Sequence, residues 1–219
     1  AIAKSKKIRI KNTYPEVKEM LRLVGLDAER VMNSYPHELS GGMSQRVMIG
    51  MALATHPKLV IADEPTSALD VTIQAQILEL LDELARKMGN AVMLITHDMG
   101  VVAEFCDKVL VMYAGNSVEY ASTVRLFEKP LHPYTGGLLQ AVPRVGRTDE
   151  LKAIKGTVPD LVNPPSGCRF HPRCPHAMDI CKVERPPFVE IEPDHYVACY
   201  RSEERRVGKK CRSGWSLDH

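Results

Sequence analysis

Several things are missing from this sequence, and each absence removes a class of explanation. No apolar run approaches the ~18 to 20 residues that a helix needs to cross a bilayer. The opening residues, AIAKSKKIRIK, are basic but lack the apolar stretch of a secretory signal. Charge of one sign is also lacking: 29 Lys and Arg stand against 27 Asp and Glu, a formal net charge of +2. A dedicated nucleic-acid binder normally carries a marked basic excess. These absences point away from a membrane span, an exported protein and a nucleic-acid binder. The chain has 219 residues, 44% of them hydrophobic, enough to bury one substantial core with an appendage.

Proline and cysteine are scarce at first and then crowd together. Up to about Tyr120 the chain holds four of its fifteen prolines and nine of its ten methionines. From Lys129 to Pro193 there are eleven prolines. Proline lacks the N–H donor and clashes with the preceding turn, so this stretch is expected to be loop-rich. Of the six cysteines, Cys106 stands alone and Cys168, Cys174, Cys181, Cys199 and Cys211 follow late in the chain. Without an export signal the expected compartment is reducing, so disulfides are not the default explanation. The composition divides the chain into residues 1–122, 123–200 and a charged, non-periodic tail, 201–219.

The first part alternates strand-like and helix-like pieces. Residues 58–62, KLVIA, form an apolar run ending at Asp63, suited to a strand buried on both faces. From Val71 to Met88, the residues Ile73, Ile77, Leu80, Leu81, Leu84 and Met88 recur at helical spacing, and Gly89-Asn90 closes that helix. Residues 91–95 form a second buried strand and residues 109–112 a third. Strand, helix, strand in succession predicts an α/β fold with a parallel sheet and flanking helices. Ligands in such sheets gather at the carboxyl ends of the strands, where Asp63, Glu64 and His97 lie.

An aspartate at a strand end can hold Mg²⁺, and the residue after it can orient an attacking water. A capping or loop role fits the pair Asp63-Glu64 as well, and a loop histidine such as His97 is often structural. Upstream, Ser40-Gly41-Gly42-Met43-Ser44-Gln45 opens an apolar helical pattern running to Leu53. Ser40 is a natural N-cap. The free N–H groups of the first turn, with the helix dipole, form an anion site.

Leu39-Ser40-Gly41-Gly42 with Gln45 resembles the signature motif of the ATP-binding cassette (ABC) ATPases. Leu59 to Glu64 is similar to their Walker B strand, Ser67-Ala68-Leu69-Asp70 to their D-loop and His97 to their switch histidine. Order and spacing fit over roughly residues 16 to 120. The resemblance implies a P-loop NTPase-like cassette that pairs head to tail with a second, identical or different, and binds ATP with Mg²⁺ between them. It implies that Ser40, Gly41, Gly42 and Gln45 contact a nucleotide held by the partner. Asp63 would help bind Mg²⁺, Glu64 would act as general base or water-orienter, and His97 would contact the γ-phosphate. Asp70 would report across the interface. Ser44 departs from the basic residue common in peptide-transport relatives, at a position with no obligatory chemistry.

No G-x-x-x-x-G-K-[ST] phosphate loop occurs in these residues. Nor does the glutamine loop, or the aromatic that stacks on adenine. The first residues therefore read as the end of the helical subdomain. The expectation is a C-terminal part of the cassette, in which these 219 residues alone hydrolyse no ATP. The abrupt start and the unplaced tail point to an incomplete coding sequence.

Leu131-His132-Pro133-Tyr134-Thr135, then Leu138-Leu139 and Ala141-Val142-Pro143, resembles the stretch after the cassette in oligopeptide and dipeptide importers. The spacing of Cys168, Cys174, Cys181 and Cys199 resembles their carboxyl-terminal extension, which in some members carries a [4Fe–4S] cluster. Four thiolates must converge on one site to hold it, and Gly167 with the prolines 172, 175, 186 and 187 suits such loops. Tetrahedral Zn²⁺ and unliganded or oxidised thiols remain open. His171, His176 and His195 are alternative ligands but read as loop histidines, Cys106 reads as core, and Cys211 is expected to bind nothing.

The resemblance thus implies an ATPase subunit energising uptake of dipeptides or oligopeptides, cytoplasmic and peripheral on the inner face of the membrane. Its partners would be a second cassette, integral membrane permease subunits and, indirectly, an extracytoplasmic peptide-binding protein, with no nucleic acid. A sibling importing nickel or another solute remains open, as does a soluble non-transport ABC ATPase. A further alternative makes the cysteine extension a redox-sensing or structural module.

Overall fold

The computed structural model describes residues 13–67, 69–142 and 153–202. The basic start, Ala68 of the D-loop, Pro143, Cys211 and the tail beyond Ser202 lie outside the described residues. The chain divides into two compact units, residues 1–97 and 98–219.

The first unit opens with helices α1 (Tyr14–Leu23) and α2 (Ala28–Met32), then a 3-10 turn at Pro36–Glu38. Helix α3 (Gly41–Leu53) starts at Ser40, whose Oγ accepts the Met43 N–H at 3.3 Å. Strand β1 (Leu59–Asp63), helix α4 (Val71–Met88) and strand β2 (Ala91–Ile95) complete the unit. Helix α4 has the predicted span. Asp70 caps its start by accepting the Ile73 N–H at 3.0 Å. Gly89, at φ 67°, ends it in the left-handed conformation that costs glycine least. The apolar side of α4 contributes Ile77, Leu81 and Leu84 to a core with Val24, Ile49, Leu53 and Val60. A second cluster of Leu21, Ala28 and Val31 holds α1 to α2.

Strands β1 and β2 pair in parallel, with Ile61 opposite Met93 and Asp63 opposite Ile95. The expectation that both strands are buried on both faces is corrected. Val60 is buried, but Leu59, Ile61, Met93 and Ile95 are 44 to 58% exposed. Side chains alternate along a strand, so these four share one face, and among the described residues only the Val60 face meets the α3–α4 core.

The second unit begins with α5 (Met99–Phe105), capped by Asp98, and continues through β3 (Lys108–Tyr113), β4 (Asn116–Ser122), α6 (Thr123–Glu128) and α7 (Pro133–Gln140). After residues 143–152 come α8 (Asp179–Val183), β5 (Val189–Glu192) and β6 (His195–Val197). The expected third parallel strand is another correction: β3 turns back through Ala114-Gly115, at φ 48° and 78°, and pairs antiparallel with β4. Positive φ at both central residues suits the twist of a two-residue hairpin. The resulting sheet runs β3-β4-β6-β5. Its core gathers Val111, Tyr113, Val118, Ala121 and Leu126 around Phe170, which meets the Tyr113 ring edge-on at 5.1 Å. The segment from Lys129 to Pro193 holds no described helix longer than α7, eight residues, in keeping with its prolines.

Candidate functional site

Asp63 is the last residue of β1 and is exposed. Immediately after it the backbone bends sharply: Glu64 adopts φ 46°, a left-handed conformation uncommon for a residue with a long side chain. Local hydrogen bonds hold that bend. The Glu64 N–H donates to the Ile95 carbonyl at 2.9 Å, extending the parallel ladder by one step. Its carbonyl accepts the Ser67 N–H at 3.3 Å and the Ser67 hydroxyl at 3.2 Å. The bend brings Glu64 Oε1 to 2.7 Å from Nδ1 of His97, two residues beyond the end of β2. Two residues 33 apart in sequence thus share a hydrogen bond at neighbouring strand ends. The pair faces solvent, with the His97 side chain 83% and that of Glu64 36% exposed. An open carboxylate beside an imidazole can accept a proton from water or meet an anionic ligand.

The glycines of α3 serve close packing. A Cβ on Gly42 would stand 3.0 Å from Ile73 Cγ2, and one on Gly41 would stand 3.3 Å from Leu69 Cδ2. They let the first turn of α3 lie against the start of α4, bringing Ser40, Gly41 and Gly42 near the segment that ends in Asp70. Gln45 follows, half-buried, in the second turn of α3. Ser40 and Asp70 are both exposed, and both are engaged as N-caps.

The late cysteines form a second centre, in the second unit. Cys168, Cys174, Cys181 and Cys199 all line one recess, with His132, Phe170, His176 and Arg201 among its other walls. Its empty volume is about 350 Å³, part of it open to solvent. The Cys168 N–H donates to the Cys181 carbonyl at 2.9 Å, joining the two loops by their backbones. Burial pushes the thiols of Cys168, Cys174 and Cys199 up. Backbone N–H groups oppose that push: Phe170 and His171 at Cys168, His176 at Cys174, Arg201 and Ser202 at Cys199. Each of these sulfurs therefore has a donor two residues further on, which offsets part of the effect of burial. Among the described residues no group of three or more His, Cys, Asp or Glu is arranged to hold a metal ion. Cys106 is half-buried at the end of α5 rather than core.

Two residues escaped or misled the sequence reading. Glu119 is fully buried on β4, where it accepts the N–H groups of Leu131 at 2.7 Å and His132 at 2.9 Å. It also meets His195 Nε2 at 2.7 Å. His195 is therefore not a loop histidine: it opens β6 and is 1% exposed. Nothing in the spacing of Glu119, His132 and His195 announced this contact. The His132-Pro133 pair, a cap before a proline at the first helical position, was the available signal for α7.

A strand-end carboxylate–histidine pair beside a glycine-led helix is one organisation of the ATP-binding cassette class, and the ABC transporter family pattern matches residues 4–67. A second pattern, the oligopeptide/dipeptide transporter C-terminal region, matches residues 118–181. The chain is 52% identical over 201 residues to the oligopeptide transport ATP-binding protein AppD of Bacillus subtilis, covering 91% of this chain and 61% of that protein. It is 53% identical over 193 residues to the oligopeptide transport ATP-binding protein OppD of Salmonella typhimurium, covering 87% of this chain and 57% of that protein. The chain thus spans less than two thirds of the length of these relatives. Among solved structures it is similar to CbiO1 of Clostridium perfringens, part of the ABC transporter complex CbiONQ. That match has 30% identity and a TM-score of 0.50, over 56% of this chain and 48% of that one. The chain belongs to the ABC transporter ATPases of the oligopeptide/dipeptide importer family. Among the described residues no helix is long and apolar enough to cross a membrane.

Proposed function

We propose that this chain is the signature-to-extension part of an ATPase subunit that energises uptake of dipeptides or oligopeptides through a membrane ABC importer. The observation that carries the reading is the Glu64–His97 hydrogen bond at the carboxyl ends of adjacent parallel strands. Identities of 52 to 53% to proteins named for oligopeptide transport supply the solute class. Glu64 takes the role of general base towards the attacking water, and His97 contacts the γ-phosphate. Asp63 is suited to Mg²⁺, being an exposed hard-oxygen donor at a strand end. Mg²⁺ supplies charge neutralisation on the phosphates when bound. Ser40, Gly41, Gly42 and Gln45 serve a nucleotide held by a second cassette, identical or different, and Asp70 lies at that interface. The permease receives the resulting motion, an extracytoplasmic binding protein delivers the peptide, and the subunit sits on the inner face of the membrane. Glu64→Gln in the complete subunit is expected to lower kcat for ATP by about 10² to 10⁴, the range for loss of a general base, with nucleotide affinity retained. Turnover within threefold of wild type would sink the assignment.

The segment from residue 123 to about residue 200 is the importer extension, and its four cysteines hold a [4Fe–4S] cluster. Two features support this: the shared recess, and the backbone N–H donors aimed at three of the sulfurs. The ligands of a four-iron cluster each bind a different iron, so their sulfurs stand farther apart than around one Zn²⁺. Anaerobically purified subunit should carry four irons and four sulfides per chain, matching the cluster named, and Cys174→Ser should lose most of both. One zinc per chain and no iron would overturn the reading.

A further inference from the structure

A further recess opens in the second unit beside the β3–β4 hairpin, with an empty volume of about 270 Å³ that is partly open to solvent. Its apolar side is built from the core of that unit, through Tyr113, Val118 and Phe170. Its polar side comes from three segments: Asn116 and Ser117 at the start of β4, Arg169 in the first cysteine loop, and Arg185 after α8. Among the described residues no Asp or Glu lines it.

These walls are held in place by their backbones. The Ala198 N–H donates to the Val118 carbonyl at 2.9 Å, closing β6 onto β4 along one edge. Arg169 Nη1 donates to the Ala114 carbonyl in the hairpin turn. Gly115 leaves room for that contact, since a Cβ there would stand 3.3 Å from the same nitrogen. A single bond leaves most of the five guanidinium N–H donors of Arg169 unused. The Arg185 carbonyl accepts the Tyr200 hydroxyl at 3.3 Å, and the next residue, Pro186, is buried. The Arg185 side chain itself is exposed, and among the described residues no acceptor is paired with its guanidinium. The side chains of Asn116 and Ser117 are likewise unpaired among the described residues.

Two cations and two neutral donors thus line one recess that contains no acid of its own. Each guanidinium is a planar fork that matches two oxygens side by side. One fork already satisfies the two oxygens of a carboxylate. A phosphate group has oxygens enough to meet both forks and still accept from a hydroxyl or an amide. We propose that this recess binds a phosphate group, free or carried on a small molecule, between Arg169 and Arg185, with Ser117 and Asn116 donating to the remaining oxygens. The site lies wholly within the second unit and uses none of the residues proposed to serve ATP.

Phenylglyoxal labels uncovered guanidinium groups, so protection from it reads occupancy at one arginine, apart from phosphate bound elsewhere on the subunit. The complete subunit is labelled alone and with inorganic phosphate, glycerol phosphate, or chloride at matched ionic strength, and modified peptides are quantified by mass spectrometry. At saturating phosphate Arg185 is expected to label about tenfold more slowly, while Arg22, an exposed arginine of α1, keeps its rate. Whichever phosphate compound protects at the lower concentration tells whether the free or the carried group is preferred. Arg169→Gln is expected to raise the half-protecting concentration about tenfold, the size of one lost charge-assisted hydrogen bond. Arg169 also ties the hairpin turn, so Ser117→Ala, which leaves that tie intact, is a second variant and should raise it about threefold. Equal protection by chloride, or equal protection of Arg22, overturns the proposal. So does a half-protecting concentration that neither variant changes.

Discussion

Gly167 precedes the first cysteine of the recess at φ 65°, and a Cβ there would fall 2.4 Å from the Cys181 carbonyl oxygen. No real Cβ sits so close to a backbone atom, and the contact belongs to the same loop junction that Cys168 N–H closes on Cys181. Gly167→Ala therefore combines a left-handed backbone with a clash that only loop displacement relieves. Backbone strain alone amounts to about 1 to 3 kcal/mol. A lower urea midpoint and partial loss of cluster iron are expected, and a midpoint equal to wild type would contradict the geometry. Glu64 occupies the same region of backbone space with a full side chain, at φ 46°. There the bend is held by three hydrogen bonds and presents a carboxylate to His97. The sequence identified Gly167 as a loop residue and Glu64 as a strand-end acid. It could not show that both need the left-handed region, because backbone angles follow from contacts with residues distant in the chain.

The elements that rest on local chemistry are the ones the sequence made legible. Helix α4 was readable at both ends, since Asp70 is a capping residue, Gly89 a terminator, and the apolar positions between them keep helical period. Helix α3 was readable for the same reasons from Ser40 onward. The strands were legible as strands but not in their surroundings. An apolar run marks a strand without saying what covers it, so the exposed face of Leu59, Ile61, Met93 and Ile95 could not be read from composition. Residues 109–112 show the same limit: a run of four apolar residues fits parallel and antiparallel pairing equally. The Ala114-Gly115 turn, which decides it, depends on a positive φ at alanine that no propensity scale anticipates. The Glu119–His195 contact joins β4 to β6 across 76 positions, and no local pattern encodes a pairing at that distance.

On the scale of the whole molecule, the second unit carries a pH dependence. Burial lowers the pKa of His132 from 6.5 to about 4. The sign follows from proton counts. Between pH 6.5 and about 4 the unfolded chain binds a proton at His132 that the folded chain does not. Stability from this residue is fully present above pH 6.5, falls as pH drops towards about 4, and is flat below that. The loss is on the order of 3 kcal/mol across the window. Tyr134, His171, His176, Arg201 and the four thiols also stand around the ring, and they are common to the two proteins compared. Urea unfolding of wild type and His132→Asn at pH 7 and pH 4.5 should show a smaller acid loss in the variant. Equal losses would mean that His132 is not buried in the neutral form.

Ser40 and Asp70, two of the groups proposed to face a partner cassette, are already engaged at home, each accepting an N–H from the first turn of its helix. Any contact that drew Ser40 Oγ away from Met43 would uncap α3, and one that drew Asp70 Oδ1 away from Ile73 would uncap α4. A lost cap is worth about 1 kcal/mol, so recognition at these positions is weighed against the integrity of the first turn of a helix. The two helix starts are in contact through Gly42 and Ile73. A disturbance at one reaches the other through packed atoms, without passing through the nucleotide at all.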